Sequence, residues 1–246
     1  MQVKFGGYQR PDLARIRGKR PQLAHRTCRI TLLMVLSAMV GGCILGAAKA
    51  APVDPVGRGD LKPIQRDPEA GLVGIRSGFD LHKYAAIEVV PFVVTDTGAK
   101  GKDDVRLSVT MPGYFQSELV ARLQAANLFG QVTLVRDGES VPQHVRALRL
   151  EGRITKLNSG DDTSAWVPFA GWGRLADPLK VQIESSLIDI QSTEVMVVTA
   201  DRRQSPNSGF QDSESYMRDS FEAMARDLVK FLERLAKGEV RSAGQR

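Results

Sequence analysis

The sequence predicts an α+β domain in which a mostly antiparallel sheet of four to five strands carries two helices on one face. Three observations favour this class. Short β-branched or alternating segments indicate strands, two longer segments repeat apolar residues at helical spacing, and the elements follow in the order β-α-β-β-β-β-α. One sheet face laid against both helices buries both apolar stripes.

The first predicted strand covers residues 85–95, an almost continuous β-branched run that is typical of a strand buried on both faces. Pro91 lies within this run and has no backbone N–H, which predicts an edge position or a bulge at this point. Residues 96–104 combine glycines, lysines and aspartates, and we expect them to form a solvated loop.

The next predicted element is an amphipathic helix. Pro112 suits the first turn of this helix, and Gly130 suits its end. The apolar residues that define its buried face recur at spacings of four, four and three: Phe115, Leu119, Leu123 and Ala126.

Four further strands follow this helix. Residues 131–135 form a short strand, and residues 147–157 alternate apolar and charged side chains, as in a strand with one buried and one wet face. Residues 181–187 and 195–199 are joined by the tight connection 190–195, so we expect them to form a hairpin.

The last element is a helix of about six turns, with Asp212 or Ser213 able to cap its start. We expect it to dock on the sheet of its own domain, and a coiled-coil interface with a partner is the alternative. The domain would then cover residues 81–238, and residues 239–246 would form a polar tail. The apolar stripe of this helix consists of Met217, Phe221, Met224, Leu228, Phe231 and Leu235.

The first 50 residues are typical of an export signal with a long basic leader. They contain nine Lys/Arg and a single acid, whereas residues 51–246 contain 25 basic and 27 acidic residues. Residues 30–48 carry no charge, and small residues crowd their far end. This succession of basic, apolar and small regions indicates a bacterial signal peptide.

Three fates of this signal are compatible with the sequence. Residues 40–43 (VGGC) resemble a lipobox, in which Cys43 is acylated and begins the mature chain. Residues 48–50 (AKA) before Ala51 fit the rule of ordinary signal peptidase. A retained membrane anchor is the third alternative. Ile44 is not acidic, which favours the outer membrane for the lipidated form.

Residues 51–80 are rich in proline and glycine, which predicts an extended, mobile tether between the membrane and the domain. A pro-segment is the alternative interpretation of the same residues.

The sequence offers little recognisable chemistry. Cys28 and Cys43 are the two cysteines and precede the folded part, so we expect no disulfide, thiolate enzyme or cysteine–metal site there. His82 and His144 have no companion at metal-ligand spacing. The nucleophile elbow, the P-loop, the H-E-x-x-H motif and a dinucleotide fingerprint after a strand are absent from the sequence.

We therefore expect no enzyme, no cofactor and no bound metal. The nearly balanced charge after residue 50 disfavours nucleic acid as a partner. An unrecognised hydrolase that uses loop acids, such as the pairs at 103–104 and 161–162, is the minor alternative.

One connection departs from this plain pattern. Trp166, Phe169 and Trp172 lie in a glycine-rich segment that continues into Arg174. Aromatic side chains are costly to leave in water, so two interpretations compete. The aromatic residues fold back and cap one end of the sheet, or they contact a protein partner or the membrane interface.

The segment from Tyr84 to Gln204 resembles the bacterial envelope proteins grouped as domain of unknown function 4410, many of which are predicted lipoproteins. The resemblance implies an α+β fold and an envelope location, with no established activity. It rests on Pro91-Phe92, residues 127–130 (NLFG), residues 150–155 (LEGRIT), residues 171–174 (GWGR) and the strand–turn–strand of residues 181–199.

These observations together predict a non-enzymatic cell-envelope protein of the periplasm or outer membrane, attached through lipidated Cys43 if the lipobox is used. We expect it to bind an envelope protein partner that the sequence does not identify. The alternative is a periplasmic carrier of a small apolar or lipid ligand, held between the helices and the sheet.

Overall fold

The computed structural model describes residues 48–95, 102–135, 145–158, 178–205 and 212–240. The chain divides into two compact units, Met1–Cys43 and Ile44–Arg246, and every described residue belongs to the second. None of the described helices is both long enough and apolar enough to cross a membrane. The predicted site residues Cys43, Trp166, Phe169, Trp172 and Arg174 lie outside the described ranges.

The described residues form one sheet and two long helices. The helices are α1 (Lys102–Ala126) and α2 (Ser213–Ala236). The strands are β1 (Ala48–Ala50), β2 (Gln65–Asp67), β3 (Gly71–Ile75), β4 (Ala86–Val89), β5 (Val93–Val94), β6 (Gln131–Leu134), β7 (Ala147–Asn158), β8 (Lys180–Asp189) and β9 (Val195–Gln204).

The sheet is mixed and has the order β2-β3-β9-β8-β7-β4-β6, with β1 paired to β9 and β5 to β7. The predicted α+β class is confirmed. The predicted sheet was mostly antiparallel with four to five strands, whereas the described sheet is mixed and has nine. β4 pairs in parallel with both β6 and β7, and α1 forms the crossover between β4 and β6. The predicted hairpin of β8 and β9 is confirmed.

Both helices cover the same face of the sheet and pack against each other. Phe115 of α1 and Phe221 of α2 bring their ring centroids within 5.4 Å. Leu150 of β7 and Leu187 of β8 line the same small space as Phe231 of α2. The predicted docking of the last helix on the sheet of its own domain is therefore confirmed.

Helix α1 begins earlier than predicted. Pro112 lies inside the helix rather than in its first turn, and residues 102–104 are helical rather than part of a loop. The apolar stripe explains the longer helix, since Leu107 and Met111 are buried and continue the four-residue spacing upstream of Phe115. This burial outweighs the backbone hydrogen bond that Pro112 removes.

The predicted strand over residues 85–95 is split at the proline. β4 is buried along its whole length, as expected. Pro91 lies between β4, which is flanked by β6 and β7, and β5, which pairs with β7 alone. The break turns the Phe92 side chain into the core.

Residues 51–80 do not form a mobile tether. β3 pairs antiparallel with β9, and β2 with β3, so part of this segment extends the sheet. The glycines mark close backbone approaches: a Cβ on Gly71 would lie 2.4 Å from the Ala200 carbonyl oxygen, and one on Gly74 would lie 2.3 Å from that of Lys62. The glycine content of this segment therefore reflects the close approach of backbone segments, which leaves no room for a side chain, and not flexibility.

The end of α2 is also more ordered than predicted. Asp212 caps the start of the helix by accepting a hydrogen bond from the Ser215 N–H, as expected. After Gly238, the Glu239 N–H donates to the Arg234 carbonyl at 2.9 Å, and Val240 is buried. The expected polar tail therefore does not begin at residue 239.

Candidate functional site

The sheet has a second face, opposite the helices. Leu150 and Ile183 pack toward the helices, and side chains alternate along a strand, so Glu151, Gln182 and Glu184 point to the other side. This confirms the charged face predicted for residues 147–157. We call it the open face.

A segment of the chain crosses the open face, and we call residues 53–58 the strap. The Val53 N–H donates to Gln182 Oε1 at 2.8 Å, and Gln182 Nε2 donates to the Val53 carbonyl at 2.9 Å. The Val56 N–H donates to Glu184 Oε2 at 3.2 Å. Polar side chains of the sheet thus bind backbone groups of the strap.

Two ion pairs lie where the strap crosses the open face. Arg58 pairs with Glu151, and Arg153 pairs with Glu184 at 2.9 Å while donating to the Val56 carbonyl at 3.2 Å. The acids are the more buried partners. The Glu184 side chain is 6% exposed against 36% for Arg153, and Glu151 is 19% exposed against 48% for Arg58. Each pair therefore presents its guanidinium to solvent.

A cavity of about 430 Å³ lies between the strap and the sheet, and we call it the strap cavity. Its volume falls within the usual range of small-molecule sites. It is lined by residues of the strap, of the β4–β5 connection and of strands β5, β7, β8 and β9: Val56, Gly57, Arg58, Val90, Pro91, Val93, Thr95, Glu151, Gly152, Arg153, Glu184, Ser185, Ser186, Val198 and Thr199.

The cavities described between the helices and the sheet are much smaller. The two cavities described there have volumes of about 10 Å³ each, close to what one water molecule needs. A ligand held between the helices and the sheet, as in the carrier hypothesis, has no room in either.

A second polar cluster organises the hairpin between β8 and β9. The Tyr84 hydroxyl donates to Asp189 Oδ2 at 2.9 Å, and Arg146 donates to the same oxygen at 3.1 Å. Asp189 Oδ1 accepts from the N–H groups of Gln191 and Ser192. Burial and the hydrogen bond to Asp189 raise the pKa of Tyr84 to about 12. This cluster stabilises the turn.

A buried ionic cluster joins β1 and β9 to α2. Arg203 is buried and contacts Asp201 at 2.8 Å and Asp227 at 2.7 Å. Lys49 lies 3.4 Å from Asp227 and donates to the carbonyl oxygens of Pro68 and Glu69 in the β2–β3 turn. Three residues of the predicted signal region, Ala48–Ala50, are therefore part of the folded unit.

The two acids of this cluster have opposite pKa shifts. Burial raises the pKa of Asp201 despite the attraction of Arg203 and Lys49. Burial also acts on Asp227, but the hydrogen bond from Arg203 and the positive charges of Arg203, Lys49 and Arg226 outweigh it and lower its pKa. Asp227 is thus the principal counter-ion of the cluster.

Four strand ends meet at one end of the sheet, which we call the β1 end. Ala48 is paired with Gln204, Gln204 with Lys180, and Lys180 with Asn158. Residues 159–179, which we call the aromatic connection, join Asn158 of β7 to Lys180 of β8. Asn158 and Lys180, the roots of this connection, therefore both lie at the β1 end. Trp166, Phe169, Trp172 and Arg174 themselves lie outside the described residues.

The other residues with chemically reactive or charged side chains make contacts within the fold. His82 lies near the end of α2, with Nε2 2.8 Å from the Ala236 carbonyl oxygen. Asp103 and Asp104 lie in the first turn of α1, where acidic side chains favour the helix. Arg202 and Arg203 point to opposite faces, as neighbouring residues of a strand do: Arg202 donates to the Ala51 carbonyl, and Arg203 donates to Asp227.

Sequence reasoning missed the strap cavity and the ionic cluster of Lys49. Both depend on residues that were assigned to the signal or the tether by composition. The signal available in the sequence was the charge pattern of β7, where Glu151 and Arg153 alternate with apolar residues and require partners on the open face.

Comparison with known proteins gives similar solved structures but no family assignment. No family model matches the chain, so the resemblance to domain of unknown function 4410 is not confirmed. No curated protein matches it either.

Three solved structures illustrate the likeness. The PelC dodecamer from Paraburkholderia phytofirmans is 14% identical, covering 63% of this chain and 95% of PelC at a TM-score of 0.41. A Xanthomonas campestris protein of family DUF330 is 10% identical, covering 78% and 97% at a TM-score of 0.32. A minor lipoprotein from Acinetobacter baumannii is 14% identical, covering 65% and 98% at a TM-score of 0.29. At these scores the likenesses assign no function to the chain.

Proposed function

We propose that this chain is an exported, lipid-anchored protein of the bacterial cell envelope that binds a protein partner and catalyses no reaction. The export signal in residues 1–50 supports the location. The observation that carries the proposal is the arrangement at the β1 end: β1, the strand nearest the signal, begins at the same end of the sheet as both roots of the aromatic connection, with β9 between β1 and β8.

The integration of β1 favours Cys43 over Ala51 as the first residue of the mature chain. Cleavage before Ala51 would remove β1 and with it Lys49, whose ammonium group lies beside Asp227 and the β2–β3 turn. Cleavage before Cys43 retains all of these contacts. Two or more acyl chains on Cys43 then give lasting attachment, which a single chain does not.

A lipid on Cys43 would hold the β1 end near the membrane surface. Four residues separate Cys43 from Ala48, so the chain between them spans at most about 18 Å. The roots of the aromatic connection would then lie at the same surface. We infer that Trp166, Phe169, Trp172 and Arg174 contact a membrane-associated protein there, with the tryptophans as the principal anchors.

Site-specific photo-crosslinking in intact cells tests this function. A benzophenone amino acid replaces Trp172, and the control places it at Val109, which is 76% exposed on α1. We expect a discrete crosslinked protein with the probe at position 172, absent at 109 and lost when Trp166→Ala is added. Equal crosslinking at both positions would contradict partner binding through this connection, and crosslinks to lipid alone would assign it to the membrane interface.

A further inference from the structure

We propose that the strap cavity binds a small amphiphilic anion, which carries a carboxylate or phosphate group on a short apolar body. This site is separate from the partner contact proposed above and does not depend on it. The cavity lies on the open face of the sheet and is walled by the strap, the β4–β5 connection and strands β7 and β8.

The two arginines supply the polar part of the site. The described bonds of Arg153 use Nε and Nη2, and the described contact of Arg58 uses Nη1. A guanidinium has five N–H donors, so both side chains retain donors beyond these contacts. Both also line the cavity and are more exposed than their acid partners. Carboxylate and phosphate groups accept such donors with good geometry.

A cation fits the site less well. Glu184 is nearly buried, and its Oε2 accepts hydrogen bonds from the Val56 N–H and from Nε and Nη2 of Arg153. Two arginines and two glutamates leave the cavity with no net charge. We therefore expect modest affinity, with a preference for anions that comes from the exposed donors.

The apolar part of the site consists of valines and a proline. Val56 and Val93 are 59% and 61% exposed, and Val90, Pro91 and Val198 complete the lining. Covering such side chains stabilises a complex by about 25 cal/mol for each Å² removed from water. The volume of about 430 Å³ corresponds to roughly 14 water molecules and suits a ligand of about that many non-hydrogen atoms.

Ligand-observed NMR titration of the mature chain in phosphatidylcholine nanodiscs tests the site, with empty nanodiscs as the blank. The probes are hexanoate and hexyl phosphate, compared with hexanol and hexylammonium. We expect at least one anion to bind about tenfold more tightly than hexanol or hexylammonium. Equal binding of all four probes, preferred binding of hexylammonium, or no binding of either anion at about 20 mM would overturn the proposal. The preferred anion distinguishes a carboxylate ligand from a phosphate ligand.

Three variants locate the binding. Arg58→Gln removes one guanidinium, and Val93→Asp places a like charge at the exposed rim. We expect the first variant to weaken binding of the preferred anion about threefold and the second variant to weaken it about tenfold. Arg218→Gln is the control, because Arg218 is equally exposed and ion-paired but lies on α2. Circular dichroism verifies folding of each variant. Unchanged anion affinity in a folded Val93→Asp variant would overturn the assignment to this cavity.

Discussion

The ring of Phe92 lies against Gly152, so closely that a Cβ added to the glycine would stand 2.3 Å from Phe92 Cε1. The same ring meets Phe115 edge to face, with centroids 4.9 Å apart, and Phe115 in turn contacts Phe221. The break at Pro91 is thereby connected to β7 and to both helices. This aromatic column depends on the absence of a side chain at position 152.

Gly152→Ala is expected to destabilise the protein by about 3 kcal/mol, since the methyl group would overlap both Phe92 and the Glu184 carbonyl oxygen. Urea unfolding followed by circular dichroism measures the change. The control is Gly113→Ala in α1, where an added Cβ meets nothing within 4 Å. That substitution should stabilise by about 0.5–1 kcal/mol. Equal effects of the two changes would contradict the packing described for Phe92.

Arg203→Met is expected to cost about 3–5 kcal/mol, because it leaves Asp201 and Asp227 without their buried partner. Arg226→Met removes a guanidinium that also contacts Asp227 but is half-exposed, and it should cost less than about 1 kcal/mol. Comparison of the two free energies of unfolding tests the cluster. A loss below 1 kcal/mol for Arg203→Met would show that these acids find other partners.

Lys49→Met should lower the free energy of unfolding by about 2 kcal/mol, through loss of its contacts with Asp227 and the β2–β3 turn. Lys62→Met is the matched control, since Lys62 is exposed. A chain engineered to begin at Ala51 lacks all of β1 and should unfold at a lower urea concentration than either variant. If that chain were as stable as the one beginning at Cys43, β1 would have no role in the fold.

The free energy of unfolding should fall as the pH is lowered from 6 to 3. Burial acts to raise the pKa of Asp189, but bonds from Tyr84, Ser192 and Arg146 outweigh it and lower the pKa. A carboxyl whose folded pKa is depressed stabilises the protein above its unfolded pKa of about 3.9, and this contribution is lost as the pH falls through the folded value.

Asp189→Asn tests this contribution. It should cost about 2 kcal/mol at pH 6 and make the acid dependence shallower. Asp219→Asn changes an exposed aspartate of α2 and should alter the free energy of unfolding at pH 6 by less than about 0.5 kcal/mol. An unchanged acid slope in Asp189→Asn would assign the pH dependence to other carboxyl groups.

The periodicity of apolar residues predicted those strands and helices that bury one face in the core and expose the other. The alternation in β7 and the apolar stripe of α2 were sufficient, because one face of each meets the core. Pro112 is typical of the first turn of a helix and so predicts a late start for α1, whereas the burial of Leu107 and Met111 determines where the helix begins. Local rules fail where tertiary packing outweighs them.

The N-terminal strands and the strap cavity were not predictable in the same way. Gly71 and Gly74 indicate a linker by composition, and only their distances to the backbone of Ala200 and Lys62 reveal a sheet. Lys49 looked like part of a cleavage site, since nothing local indicates a buried acid on α2. The pairings of Gly71 with Ala200 and of Lys49 with Asp227 join residues more than a hundred positions apart.

The mass of the mature N-terminus tests the central claim most directly. Intact-protein and peptide mass spectrometry of the membrane fraction should find a chain that begins at an acylated Cys43 and retains Lys49. A chain that begins at Ala51 and is recovered from the soluble fraction would contradict both the lipid anchor and the place of β1 in the folded protein.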